Sequence, residues 1–205
     1  MNPRHHPASD TLASYAAGAL EPGFALVVAA HLDGCAHCRA TAAGFEAVSG
    51  RALDALPQAE LGAGALARTL ARLDAPAPAK PEPDRRGFVE RLPLKPKRWI
   101  APGVWVAAVD TPHAPENRVY LLNVAPRCPT ARHAHSGLEF CTVLKGAYRD
   151  ELGVFSAGDF ACAEGAFNHQ PVVQGDEACL CLFATEGRLK PQGLIGRIAF
   201  GFADV

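Results

Sequence analysis

The sequence predicts an α+β protein in two domains: a small all-α helical domain over residues 1–74, a proline-rich linker over 75–87, and an all-β domain, a sandwich, jelly roll or small barrel, over 88–205. Three observations carry this. Apolar residues recur with helical spacing in the first third of the chain and in short β-branched and aromatic runs after it. The change of period falls at Ala75-Pro-Ala-Pro-Ala-Lys-Pro-Glu-Pro-Asp-Arg-Arg86, whose alternating prolines favour an extended spacer that holds the two domains apart. Each side of the spacer has its own cluster of metal-ligating residue types, His31 to Cys38 before it and His133 to His169 after it.

The helices follow in order. Leu12, Tyr15, Ala16 and Ala19 make one stripe behind a Ser9 or Asp10 cap. Pro22 opens a second helix at its first turn, and the run Phe24 to Ala30 reads as buried. A third helix is expected from Cys35 to Val48, with Cys38, Ala42, Phe45 and Ser49 on one face and Gly50 as its stop. A fourth, from Glu60 to Leu73, sets Leu66, Leu70 and Leu73 opposite Arg68 and Arg72; that stripe either docks on its own domain or binds a partner.

The stretch His31-Leu-Asp-Gly-Cys35-Ala-His-Cys38 packs three zinc-ligand side chains into eight residues. His31 falls on the stripe of Phe24, Val27 and Val28, and Cys35 and Cys38 lie one turn apart where the positive end of a helix favours thiolates. Structural zinc is closed by four protein ligands. The fourth comes from His5 or His6, and His6 is favoured, while His37 is expected to face solvent. A redox Cys-x-x-Cys is the alternative, but it calls for a strand before the motif, and the pattern there is helical. A three-helix unit this small has little core, so a metal bound on folding supplies stability the apolar area cannot.

After the linker, strands are expected at Val104–Val109, Val119–Val124, Leu138–Leu144, around Phe155, at Asp159–Cys162, Pro171–Val173 and Ala178–Ala184, with glycines and prolines between them. Within this region stands His133-Ala-His135-Ser-Gly-Leu-Glu139, with His169 thirty residues on. On a strand His133 and His135 share a face, and a turn at Ser136-Gly137 brings Glu139 back beside them. Three imidazoles and a carboxylate suit Zn, Mn, Fe or Ni, with zinc preferred here. The bland alternative is surface histidines and a strand-edge charge.

Composition narrows the function. A formal net charge of -1 gives no basic footprint for nucleic acid, and 49% hydrophobic with 20% charged residues is a globular balance. No apolar run reaches bilayer length and the first residues lack a signal-peptide core, so a cytoplasmic protein without membrane contact is expected. Seven cysteines in a reducing compartment point to metal binding and burial rather than disulfides, with Cys128, Cys141 and Cys162 assigned to structure. Cys179 and Cys181 share a strand face and are open to either a buried or a redox role.

These residues also carry a resemblance. His133-x-His135-x-x-x-Glu139 with Gly146 resembles the first cupin motif, and Gly158 with His169 the second. Arg127 stands where the first motif begins with Gly, Glu164 and Ala166 replace a Pro and a Gly of the second, and Val173 replaces its closing Asn. His6 with His31-x3-Cys35-x2-Cys38 resembles the zinc-binding anti-sigma domain, and the two constellations in this order resemble the ChrR-type anti-sigma factors over essentially the whole chain. The resemblance implies a negative regulator of transcription without catalytic residues. Its helical domain would hold an extracytoplasmic-function type sigma factor away from core RNA polymerase. Its cupin domain would sense singlet oxygen or an organic hydroperoxide. The competing reading is a metal-dependent cupin enzyme, a dioxygenase or isomerase with Arg132, Tyr148 and Arg149 near the metal and an accessory zinc domain.

Overall fold

The computed structural model describes residues 3–73, 84, 86–111, 117–128, 130, 132–134, 137–165, 168–186 and 190–191. Among these residues four α-helices come first: α1 (Ser9–Ala16), α2 (Pro22–Gly34), α3 (Ala36–Asp54) and α4 (Ala65–Leu73). Twelve short strands follow: β1 (Arg98–Ala101), β2 (Val104–Ala108), β3 (Asn117–Val124), β4 (His133–Ala134), β5 (Glu139–Lys145), β6 (Ala147–Asp150), β7 (Gly153–Ser156), β8 (Phe160–Ala163), β9 (Asn168–His169), β10 (Val172–Val173), β11 (Cys179–Glu186) and β12 (Lys190–Pro191).

Three helix boundaries differ from the expected ones. The N-cap of α1 is Ala8, which offers no side-chain bond, and Asp10 instead accepts from the Thr11 N–H. Helix α3 runs through Gly50 to Asp54, since one exposed glycine costs a helix interior only about 1 kcal/mol relative to alanine. Helix α4 begins at Ala65 rather than Glu60, because Gly62 and Gly64 disfavour the helical backbone and Gly64 takes φ +76°. The proline-rich stretch 75–83 lies outside the described residues.

Among the described strands, one six-stranded antiparallel sheet has the order β1-β2-β3-β11-β5-β8, and two three-stranded sheets have the orders β10-β6-β7 and β12-β4-β9. Alternation splits the long strands cleanly. Leu180, Leu182 and Ala184 of β11 and Phe140 of β5 join the core formed with the helices. Cys179 and Cys181 of β11 and Cys141 and Val143 of β5 join a second core with Tyr148 and Phe155.

The expected separation of helices from sheet does not hold. Leu12, Phe24, Val27, Val28, Cys35, Cys38 and Ala42 form one continuous core with Ala107, Val119, Leu121, Phe140, Phe160 and Leu182. The physical reason lies in α2, which is apolar nearly all round and therefore needs cover on more than one side. One side meets α1 and α3, and the other lies on β3, β5 and β11. The approach is close: a Cβ on Gly23 would lie 2.6 Å from Val119 Cγ2, the Phe24 and Phe140 rings meet edge to face at 4.8 Å, and the Thr142 hydroxyl donates to the Val27 carbonyl at 2.9 Å. Beyond the linker the chain returns to the helices, where Phe88 and Val89 pack on the same core and Arg91 reaches Asp33 at 3.8 Å.

Candidate metal centres

The first centre is built where α2 ends and α3 begins. Cys35 is the N-cap of α3 and its sulfur accepts from the Cys38 N–H at 3.5 Å, so both sulfurs sit at the positive end of the helix. His31, fully buried on the last turn of α2, turns Nε2 to within 3.3 Å of Cys38 Sγ. The segment before α1 brings His6, whose Nδ1 lies 3.5 Å from Cys35 Sγ and 3.3 Å from Cys38 Sγ. One donor atom from each of His6, His31, Cys35 and Cys38 lies within 4.8 Å of all the others. Donors sharing a tetrahedral zinc, at about 2.0–2.3 Å each, stand roughly 3.5 Å apart, so this N₂S₂ set fits that ion.

Electrostatics act on two members of this set, His31 and Cys38. Burial lowers the His31 pKa, against the opposing bond to Gly158, and favours the neutral imidazole. Its Nδ1 lies 2.8 Å from the Gly158 carbonyl oxygen, which makes Nδ1 the protonated nitrogen and leaves the Nε2 lone pair toward the sulfurs. Burial, then the hydrogen bond and charge of Cys35, push the Cys38 thiol up to about 12, so metal binding here must displace a proton. Neighbouring His5 is turned elsewhere, with Nδ1 3.3 Å from Asp159 Oδ2 and its ring on Phe155. His37 is exposed and meets His6 edge-on at 5.5 Å.

The second centre is spread over two sheets. His133 of β4 and His169 of β9 are register partners, and their Nε2 atoms lie 3.0 Å apart. Glu139, the first residue of β5, is buried, and burial followed by the charge of Asp150 pushes its carboxyl up to about 8. His135 lies outside the described residues. Sequence reasoning missed Asp150, because nothing in the local pattern marked β6. Its Oδ2 sits 2.9 Å from His169 Nδ1, and both side chains are buried. Burial works against the Asp150 carboxylate, but the bonds from His169 and the Leu152 N–H prevail and hold its pKa below the ordinary value. A carboxylate on the far nitrogen of a ligating histidine fixes its tautomer and raises its basicity.

Cysteines outside the first centre divide. Cys141, Cys179 and Cys181 are buried together, with 3.6 Å between the sulfurs of the last two. Cys162, expected to be structural, is exposed on β8, a strand at the edge of its sheet.

Comparison with known proteins shows the family. Residues 94–189 match the family model described as the ChrR cupin-like domain. The anti-sigma-E factor ChrR of Cereibacter sphaeroides is 36% identical over 211 residues, covering 98% of this chain and 99% of that one. The chain belongs to the ChrR-type anti-sigma family. A crystal structure of Rhodobacter sphaeroides SigE in complex with the anti-sigma ChrR matches with a TM-score of 0.76 and 38% identity, covering 91% of this chain and all of that one.

Within this ChrR-type chain one departure from the cupin motif is a backbone matter. Arg127, where the motif has glycine, takes φ +63°, a left-handed conformation that costs a residue with a side chain about 1–2 kcal/mol. Two of the three groups that would assist an enzyme are engaged structurally. Tyr148 is stacked on Phe155, Arg132 pairs with Glu151 at 2.8 Å, and Arg149 is exposed. No helix among the described residues is long and apolar enough to cross a membrane.

Proposed function

We propose that this chain is a cytoplasmic anti-sigma factor that sequesters an extracytoplasmic-function type sigma factor and releases it under singlet oxygen or an organic hydroperoxide. The near full-length relationship to an anti-sigma factor carries the reading, since it spans both metal constellations in one order. Residues 1–74 act as the inhibitory domain, 75–87 as linker and 88–205 as sensor. Zinc is held by His6, His31, Cys35 and Cys38. A second metal, zinc by preference over Mn, Fe or Ni, is held by His133, His135, Glu139 and His169, with Asp150 behind His169. The chain makes no direct contact with nucleic acid or membrane.

The surface of the helices supports a protein partner. Leu66, Leu70 and Leu73 of α4 are 69%, 51% and 76% exposed, and Val48, Leu53, Leu56 and Leu61 earlier in the helical region are exposed as well. Apolar area of this kind marks an interaction site on a soluble protein. The leucines recur at the spacing with which an amphipathic helix fills a groove, and Arg68 and Arg72 keep the opposite side polar. Transcription in vitro by core polymerase and the cognate sigma factor tests the reading. Stoichiometric full-length chain is expected to silence it, and unchanged transcription would contradict the proposal.

A further inference from the structure

One turn of the β region touches the first metal centre on both sides. It joins β7 to β8 through Ala157, Gly158 and Asp159, and it is fastened to β5: the Gly158 N–H donates to the Val143 carbonyl at 2.7 Å and the Val143 N–H to the Asp159 carbonyl at 3.0 Å. Its Gly158 carbonyl is the acceptor for His31 Nδ1. Its Asp159 carboxylate takes the Arg4 N–H at 2.6 Å and the His5 N–H at 3.0 Å on Oδ1, and the Ser156 N–H at 2.8 Å on Oδ2. The Phe160 N–H returns a bond to the His5 carbonyl at 3.0 Å. The segment carrying His6 is therefore held by the turn, and the ring of His31 is aimed by it. Neither histidine is oriented by a helix neighbour alone.

We propose that the β7–β8 turn of the cupin supplies the outer sphere of the helical metal site, with Asp159 as its positioning residue, so that displacement of this turn weakens the grip on zinc. The proposal rests on the zinc assignment made above. A first-shell histidine held by a fixed acceptor keeps its ring and tautomer in the ligating geometry, and loss of such support typically costs about 10–100-fold in metal affinity. Asp159 does this work at one remove: it fixes the backbone of residues 4 and 5, and so the reach of His6. Gly158 is equally constrained. It takes φ +93°, and an added Cβ would stand 3.0 Å from Pro3 Cγ, against the start of the same segment.

The test is a cobalt(II) titration of the full-length chain followed by thiolate-to-metal absorption, which reports this centre alone because the ligands assigned to the second are imidazoles and a carboxylate. Asp159→Ala is expected to bind one equivalent there with affinity about 10–100-fold weaker. Asp159→Asn should lose less, since Oδ1 still accepts from Arg4 and His5 while the Ser156 bond goes. Gly158→Ala should weaken binding and shift the cobalt bands. If Asp159→Ala does not fold, Asp159→Asn and Gly158→Ala decide. Wild-type affinity and spectrum in the variants would overturn the proposal. Cys35→Ser separates the two levels: with only the Cys38 sulfur left, it must weaken and shift the thiolate band, and a band that persists unchanged would remove the zinc assignment itself.

Discussion

His169 and Asp150 meet at 2.9 Å in the interior, with the far nitrogen of His169 facing His133. The carboxylate selects the tautomer whose Nε2 lone pair points at the second centre. Asp150→Ala is therefore expected to lower metal affinity there by about 10–100-fold while leaving the first centre loaded. Element analysis after dialysis against a weak chelator should show close to one equivalent lost, and full retention would remove Asp150 from the ligand support.

Metal content gives a second prediction. Purified chain should carry close to two equivalents, falling by one in Cys35→Ser or Cys38→Ser. Because the first centre is fastened to the turn at Gly158 and Asp159, the loss should be felt across the interface. Amide exchange at residues 156–160 should accelerate in Cys38→Ser, since coupling between two sites is reciprocal. Unchanged protection of that turn would show that the contacts carry no coupling.

The shared core makes a third. Phe24 is buried between α2 and Phe140, so Phe24→Ala should cost about 3–5 kcal/mol and be seen as one transition in which helices and sheet unfold together. Leu66→Ala, on an exposed face, should shift thermal stability little. Two resolved transitions, with the β region unaffected by Phe24→Ala, would restore two independent units.

That result bears on what the sequence could tell. The run Phe24 to Ala30 was legible as a buried helix, but a helix apolar nearly all round has two faces to cover, and the three-helix unit has only one to offer. The covering surface is the six-stranded sheet, which meets the helix through contacts such as Val27 with Thr142, 115 residues apart in the chain, and local pattern cannot point to it. His31, Cys35 and Cys38 were legible because ligand spacing is local. The choice between His5 and His6 was not, because it depends on Asp159 taking His5 aside from across the molecule. Asp150 was silent for the same reason. Cys162 misled because small strand residues usually point inward, whereas β8 is at the edge of its sheet.

The sensing role proposed for the cupin yields the fourth prediction. His133→Ala, His135→Ala, Glu139→Ala and His169→Ala should each leave sigma binding intact and abolish release under singlet oxygen or hydroperoxide. A reporter on the sigma-dependent promoter, with and without oxidant, reads this directly. Full induction in all four would move the sensor to the buried thiols of Cys179 and Cys181, whose sulfurs are 3.6 Å apart.

Copurification from the native cell tests the central claim most directly. Tagged full-length chain should bring down an extracytoplasmic-function type sigma factor in stoichiometric amount, and the Leu66→Asp, Leu70→Asp double variant, altered only on the exposed face of α4, should lose it while remaining folded and metal-loaded. A wild-type chain that emerges without a sigma factor, and consumes oxygen with a small substrate, would instead contradict the account.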